Sequence, residues 1–222
     1  MDGASTYSFF LSALQNAFIY DPNIRAERKF EIMELKGSRT EKNLLATFAG
    51  ESQARTRYTF FASVAKKEGY EQISGIFQET ADNEKEHAQL FFNNLKGGTV
   101  EITATYPAGV IGSTAENLKA AADGEKFEWG TLYPNFAEVA EEEGFRDAAR
   151  TFRMVAKVES YHERRYRKLL QNIEQGSVFK KESPIQWKCR NCGHVYEGSE
   201  APEKCPVCDH PRSFFEVWVE NY

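Results

Sequence analysis

The chain has 222 residues, enough for one ordinary core and a small appended module. Hydrophobic residues make up 41% and charged residues 27%, and 28 Lys and Arg against 33 Asp and Glu give a net charge of −5. That mild acidity argues against a nucleic-acid partner, which needs a concentrated basic face, and no uninterrupted apolar run reaches membrane-spanning length.

Residues 7–20 (YSFFLSALQNAFIY) are apolar and aromatic, but no basic flank precedes them and no small-residue cleavage site follows. They read poorly as a secretory signal. Four long segments with a 3.6-residue apolar period come next. The first spans about residues 38–67 and opens on a capping box, Ser38 with Glu41. The second spans about 71–95 and stops at Gly97 and Gly98; the third covers about 113–143, and the fourth 145–175, ending at Gly176. Short turns at Gly69 and Gly144 make each pair an antiparallel hairpin. Residues 97–112, with a strand-like centre and a Pro-Ala-Gly step, form one long crossover between the pairs. Two helical hairpins joined this way describe a mainly α, ferritin-like four-helix bundle.

The hairpins repeat. A shift of 75 positions places Gly69 on Gly144, Tyr58 on Tyr133, Phe77 on Phe152, Glu84 on Glu159 and His87 on His162. It fails by one place for Glu51, which falls on Lys126 rather than Glu125. The third helix therefore holds one extra residue before Tyr133, with Pro134 just beyond. The pattern predicts a π-bulge or kink there.

Each helix breaks its apolar stripe in the same way. Glu51 lies among Leu44, Phe48, Ala54, Tyr58 and Ala62; Glu84 and His87 lie among Ile73, Phe77, Ala81, Phe91 and Leu95. Glu125 and Glu128 share a face with Leu118, Ala122, Trp129, Leu132 and Phe136, while Glu159 and His162 sit among Ala148, Phe152, Val155, Tyr166 and Leu170. Burying unpaired carboxylates costs several kcal/mol per ion, against a total stability of about 5–15 kcal/mol. Bound cations offset that cost, and Glu oxygens with His nitrogens suit iron or manganese. Each Glu-x-x-His puts both side chains on one face, one turn apart, so one ion can take both. A single such pair on a Glu-rich helix would read as solvated surface; two copies at equivalent repeat positions, both on the apolar face, do not. Tyr58 and Tyr133 on the same stripes are either core residues or hydrogen-bond partners of the ligand carboxylates.

From about residue 177 the pattern changes. Residues 177–186 read as a linker and 187–222 as a compact unit too small to stand without a metal. Cys189 and Cys192, with Cys205 and Cys208, form two Cys-x-x-Cys knuckles that bring four thiolates to a tetrahedron. Spacing alone allows zinc or a single iron, zinc being the commoner. Paired cysteines of this kind fit a cytoplasmic protein rather than a disulfide framework. Trp187, Tyr196, Phe214, Phe215 and Trp218 are the expected aromatic core, and His194 and His210 are expected at the surface.

The set Glu51, Glu84, His87, Glu125, Glu128, Glu159 and His162 resembles the ligand set of the rubrerythrins, as do the phrases at residues 36–43 (KGSRTEKN) and 50–55 (GESQAR). Glu125 and Glu128 supply one carboxylate more than simpler ferritin-like di-iron proteins. The cysteine knuckles resemble rubredoxin, which implies iron there with zinc as a possible substitute. Asp209 departs from that pattern, where Gly usually follows the last Cys. The resemblance covers about residues 33–222 and leaves 1–32 as an unassigned N-terminal extension, with 33–176 as the bundle.

The resemblance implies a di-iron peroxidase that reduces hydrogen peroxide to water, fed one electron at a time by the rubredoxin-like iron. It also implies Glu84 and Glu159 as bridges, an iron shift between Glu128 and His87, and a head-to-tail homodimer served by an electron-donor protein or reductase. Two other readings stay open: an oxygen-reducing ferroxidase, and a non-enzymatic metal-storage or zinc-ribbon protein.

Overall fold

A computed structural model describes residues 33–221. The N-terminal extension expected at 1–32 lies outside the described residues. Helix α1 (Arg39–Lys67) and helix α2 (Glu71–Asn94) form the first hairpin. The second consists of α3 (Thr114–Phe127), a π-helical turn (Glu128–Leu132) and α4 (Tyr133–Glu142), running as one rod antiparallel to α5 (Arg146–Glu174). Among the described residues no helix is long and apolar enough to cross a membrane.

The two hairpin turns are alike because Gly69 and Gly144 adopt φ of +84° and +83°, a left-handed conformation that favours glycine. The start of α1 is capped as the sequence suggests, with one change. Ser38 Oγ accepts from the Glu41 amide at 3.0 Å, but Glu41 reaches back to the amide of Gly37, not of Ser38. Glu143, at the far end of the second hairpin, accepts from the Thr40 amide and hydroxyl and ties the hairpins together. The crossover is extended without strand pairing, so its strand-like centre forms no sheet.

The extra residue of the third helix is taken up by the π-turn, in which the Tyr133 amide reaches the carbonyl of Glu128. Pro134 follows at once, where its missing N–H costs least. This turn also corrects the expected stripe. One added residue rotates everything after it by about 100°. Tyr133, Ala137 and Ala140 therefore become the buried face, while Trp129, Leu132 and Phe136 are only half-buried.

The bundle core is two apolar clusters rather than one. Ala54, Tyr58, Phe61, Ile73, Phe77, Leu118 and Tyr166 fill one part; Leu44, Phe91, Tyr133, Ala137, Phe152 and Val155 fill the other. Each helix carries its buried acid between residues of these two clusters, so a polar belt interrupts the interior.

Strand β1 (Lys180–Cys189) takes in most of the segment read as a linker. It is the central strand of a small antiparallel sheet, flanked by β2 (Val195–Glu200) and β3 (Phe215–Val217). The pairing reaches back to Lys180 opposite Glu200 across an irregularity, which is why those residues are not free chain. Trp187 and Phe215 are buried as expected, Phe214 and Trp218 are half-buried, and Phe179 joins them. Tyr196 does not. It lies on edge strand β2 folded over Gly198, where an added Cβ would come within 2.7 Å of its ring. His194 and His210 are half-buried, and His210 meets the edge of Phe214 at 4.5 Å between ring centroids.

Candidate metal centres

Six of the seven expected bundle residues converge. Glu51, Glu84, His87 and Glu159 place one ligand atom each within 4.8 Å of one another, and so do Glu84, Glu125, Glu159 and His162. Glu84 and Glu159 belong to both groups, and all six residues are buried. Glu128 joins neither. It opens the π-turn, is half-buried, and has its carboxyl pushed up by burial and by the nearby charges of Glu125, Glu159 and Glu84.

His87 Nδ1 and Glu84 Oε2 share a hydrogen bond at 3.0 Å, but the other acid–imidazole contacts of the cluster are close and poorly directed for hydrogen bonding. His162 Nδ1 lies 2.7 Å from Glu159 Oε2 and 3.3 Å from Glu84 Oε1, and His87 Nδ1 lies 2.8 Å from Glu159 Oε1. Yet both oxygens of Glu159, Oε1 of Glu84, Oε2 of Glu51 and of Glu125, and Nδ1 of His162 have no hydrogen-bond partner among the described residues. Distance alone would make these ion pairs; the angles decide against hydrogen bonds for them. Lone pairs that point past one another toward a shared space are what co-ligands of an ion present, and orphaned buried acceptors are otherwise costly. The donor set of carboxylate oxygens and imidazole nitrogens fits iron on this ground.

Electrostatics says the same. Burial, then the charges of Glu159, Glu84 and Glu128, push Glu51 well above the usual carboxylate range, and burial lifts Glu125 to about 8. Burial also opposes the ionised form of Glu84, but the two imidazoles outweigh it and hold that carboxyl at about 2. Burial likewise lowers each imidazole, and the surrounding carboxylates more than offset it, raising His87 to about 10 and His162 to about 12. Without cations the cluster holds protons in their place.

Both tyrosines at repeat-equivalent positions hydrogen-bond the cluster. Tyr58 Oη donates to Glu125 Oε1 at 2.6 Å, and Tyr133 Oη donates to Glu51 Oε1 at 2.5 Å. Burial raises both phenols, so they stay protonated. Sequence reading missed Glu163, which accepts from the indole N–H of Trp129 at 2.8 Å and so anchors the π-turn to α5. Its only signal was its place beside His162.

In the C-terminal unit the two knuckles repeat each other. The Cys189 amide donates to the His194 carbonyl and Gly193 to Cys189; the Cys205 amide donates to His210 and Asp209 to Cys205, all at 2.8–3.0 Å. The sulfurs of Cys189 and Cys208 lie 3.7 Å apart and those of Cys192 and Cys205 3.6 Å. A tetrahedron with metal–sulfur bonds of about 2.3 Å has edges of about 3.8 Å, so the four thiols fit one ion. Asp209 has φ +61° where Gly193, its counterpart, has φ +80°. Asp tolerates that region better than most residues, and Lys204 pairs with it at 3.0 Å. Asp209→Val should cost about 1–2 kcal/mol in denaturant unfolding, while Asp209→Gly should cost nothing; equal stability of the two variants would contradict a strained position.

The fold and its two clusters define a non-haem iron protein, a ferritin-like bundle with a four-cysteine module. The family model described as rubrerythrin matches residues 42–170, and that of the rubrerythrin rubredoxin-like domain matches 187–216. Rubrerythrin of Porphyromonas gingivalis is 64% identical over 188 residues, covering 85% of this chain and 94% of that protein. Rubrerythrin of Nitratidesulfovibrio vulgaris is 54% identical, covering 85% and 98%. A solved structure of nigerythrin in a mixed-valence state aligns with a TM-score of 0.55 at 31% identity, over 87% of this chain and 96% of that one.

The chain belongs to the rubrerythrin family. It is thus a di-iron oxidative-stress protein of the oxidoreductase class, with iron in the bundle site and in the four-cysteine site.

Proposed function

We propose that the protein is a peroxidase that reduces hydrogen peroxide to water in the cytoplasm, with electrons passed through the four-cysteine iron. The observation that carries this reading is a buried set of four carboxylates and two imidazoles, with orphaned ligand atoms, on the same chain as a four-thiol site. Glu84 and Glu159 would bridge the two ions, Glu51 and His87 would complete one side, and Glu125 and His162 the other. Bound there, two ferrous ions supply together the two electrons that peroxide needs, so no one-electron radical has to leave the site.

Glu128 is the reserve carboxylate that would replace His87 as the centre changes oxidation state. The hydroxyls of Tyr58 and Tyr133 keep Glu125 and Glu51 turned and hold protons beside the reacting oxygens. Cys189, Cys192, Cys205 and Cys208 would hold the relay iron. Arg190, beside Cys189, meets α2 at Gly75, nine residues before Glu84 and so about 14 Å away along the axis. Family membership points to a head-to-tail homodimer in which each unit serves its partner's bundle. A separate electron-donor protein or reductase would recharge it.

The test is Cys189→Ser. Reductant-driven peroxide turnover should collapse by at least about tenfold, while pre-reduced bundle still reacts once. Unchanged steady-state turnover would end the relay. Oxidation of the reduced chain faster by dioxygen than by peroxide would move the reading to a ferroxidase.

A further inference from the structure

Glycine inside a helix costs about 1 kcal/mol relative to alanine, so Gly75, in the second turn of α2, needs a reason. The reason lies in the other module. A Cβ built on Gly75 would stand 2.7 Å from Nη2 and 3.5 Å from Cζ of Arg190. The guanidinium of the residue next to Cys189 therefore rests directly on the helix backbone. It is held from the other side by β3, where Glu216 pairs with Arg190 Nη1 and, at 3.1 Å, with Lys188. The Arg190 amide also donates to the Phe214 carbonyl at 2.8 Å, which fixes the start of the side chain.

Two further contacts flank this one. Tyr70 stacks on Phe179 with ring centroids 6.1 Å apart and planes 6° apart, and Ser213 lies against Gly69. The aromatic stack would let the module pivot about one point. The guanidinium, planar and clamped by a carboxylate, adds the second point that stops rotation.

We propose that Arg190 is a positioning residue: seated on Gly75 and clamped by Glu216, it fixes the orientation of the four-cysteine module on the end of its own bundle, and with it how the module is presented to the bundle it serves. Its kinetic consequence rests on the peroxidase relay proposed above; the orientation itself does not. Arg190→Ala removes the latch. Gly75→Ala only pushes the flexible guanidinium aside, and by helix propensity it should leave α2 as stable or more so. It therefore decides the matter if Arg190→Ala fails to hold iron.

The experiment uses the intact iron-loaded chain, the two variants and the double variant. Hydrogen exchange should show faster labelling of residues 69–75 and 179 in both single variants, with the tetrathiolate spectrum unchanged. On mixing reduced protein with peroxide, reoxidation of the tetrathiolate iron should slow by roughly tenfold or more, while oxidation of the bundle centre keeps its rate. The double variant should match Arg190→Ala, since both changes act through one contact. Unchanged labelling in Gly75→Ala, or effects that multiply in the double variant, would overturn the latch. Unchanged reoxidation of the tetrathiolate iron, with labelling altered, would overturn its role in electron transfer. Failure of peroxide to oxidise even the unaltered chain would defeat the peroxidase reading and leave the labelling result to judge the latch.

Discussion

Replacing Glu84 with alanine is expected to empty the bundle of iron while leaving the four-cysteine module loaded. Glu84 belongs to both four-residue groups, and its two oxygens approach both imidazoles, at 3.0 Å for His87 and 3.3 Å for His162. Its loss removes a ligand from each ion and leaves Glu51, Glu125 and Glu159 as buried acids that must take up protons. Disturbing groups behind metal ligands costs 10–100-fold in affinity, so removing a shared ligand should cost at least about 100-fold. Elemental analysis should fall from about three irons per chain to about one, on the count of one two-metal and one four-thiolate site. The red tetrathiolate colour should persist. A variant that keeps about three irons would show that Glu84 bridges nothing.

Metal removal should make the stability of the bundle fall as pH rises. In the metal-free protein Glu125 is raised from 4.5 to about 8, His87 from 6.5 to about 10 and His162 from 6.5 to about 12. A group raised on folding stabilises fully below its unfolded pKa, and that contribution fades as pH rises toward its folded value. The stripped bundle should therefore begin to lose stability above about pH 4.5, through Glu125, and lose it most steeply from about pH 6.5 to 10, where both imidazoles join, by on the order of 10 °C in melting temperature. Glu84, lowered to about 2, has the opposite sign, but its contribution is lost only as pH falls from 4.5 toward 2, outside this window. Iron needs deprotonated ligands, so its stabilisation grows over the same range and the gap between loaded and stripped protein should widen. Circular dichroism melts of both forms would show it. A stripped protein as stable at pH 10 as at pH 6.5 would contradict the buried titrating cluster.

Most of the bundle was legible because buried acids on an apolar stripe are rare enough to mark a site. The failed match of Glu51 to Glu125 under the 75-residue shift foretold the π-turn before Tyr133. The stripe itself hides the consequence of that turn for Trp129, Leu132 and Phe136, since a helical wheel assumes an unbroken 100° step. The pairing of Tyr58 with Glu125 and of Tyr133 with Glu51 crosses between hairpins, so phase could suggest the tyrosines but not their partners. The C-terminal unit was less legible. Four cysteines fixed the knuckles, but strand pairing from Lys180 has no periodic signal in the charged segment it crosses. Gly75 carried no meaning in its own helix, because its partner Arg190 is 115 positions away in another module.

The buried acids and imidazoles of the bundle are built to hold two cations. Anomalous X-ray scattering at the iron edge, from crystals of the intact chain grown without oxygen and with ferrous iron, tests this most directly. Two peaks about 3.5–4 Å apart, flanked by Glu84 and Glu159, and a third among the four cysteines are expected. A single peak at the cysteines, with those carboxylates hydrogen-bonded to one another or to water, would contradict the two-cation site.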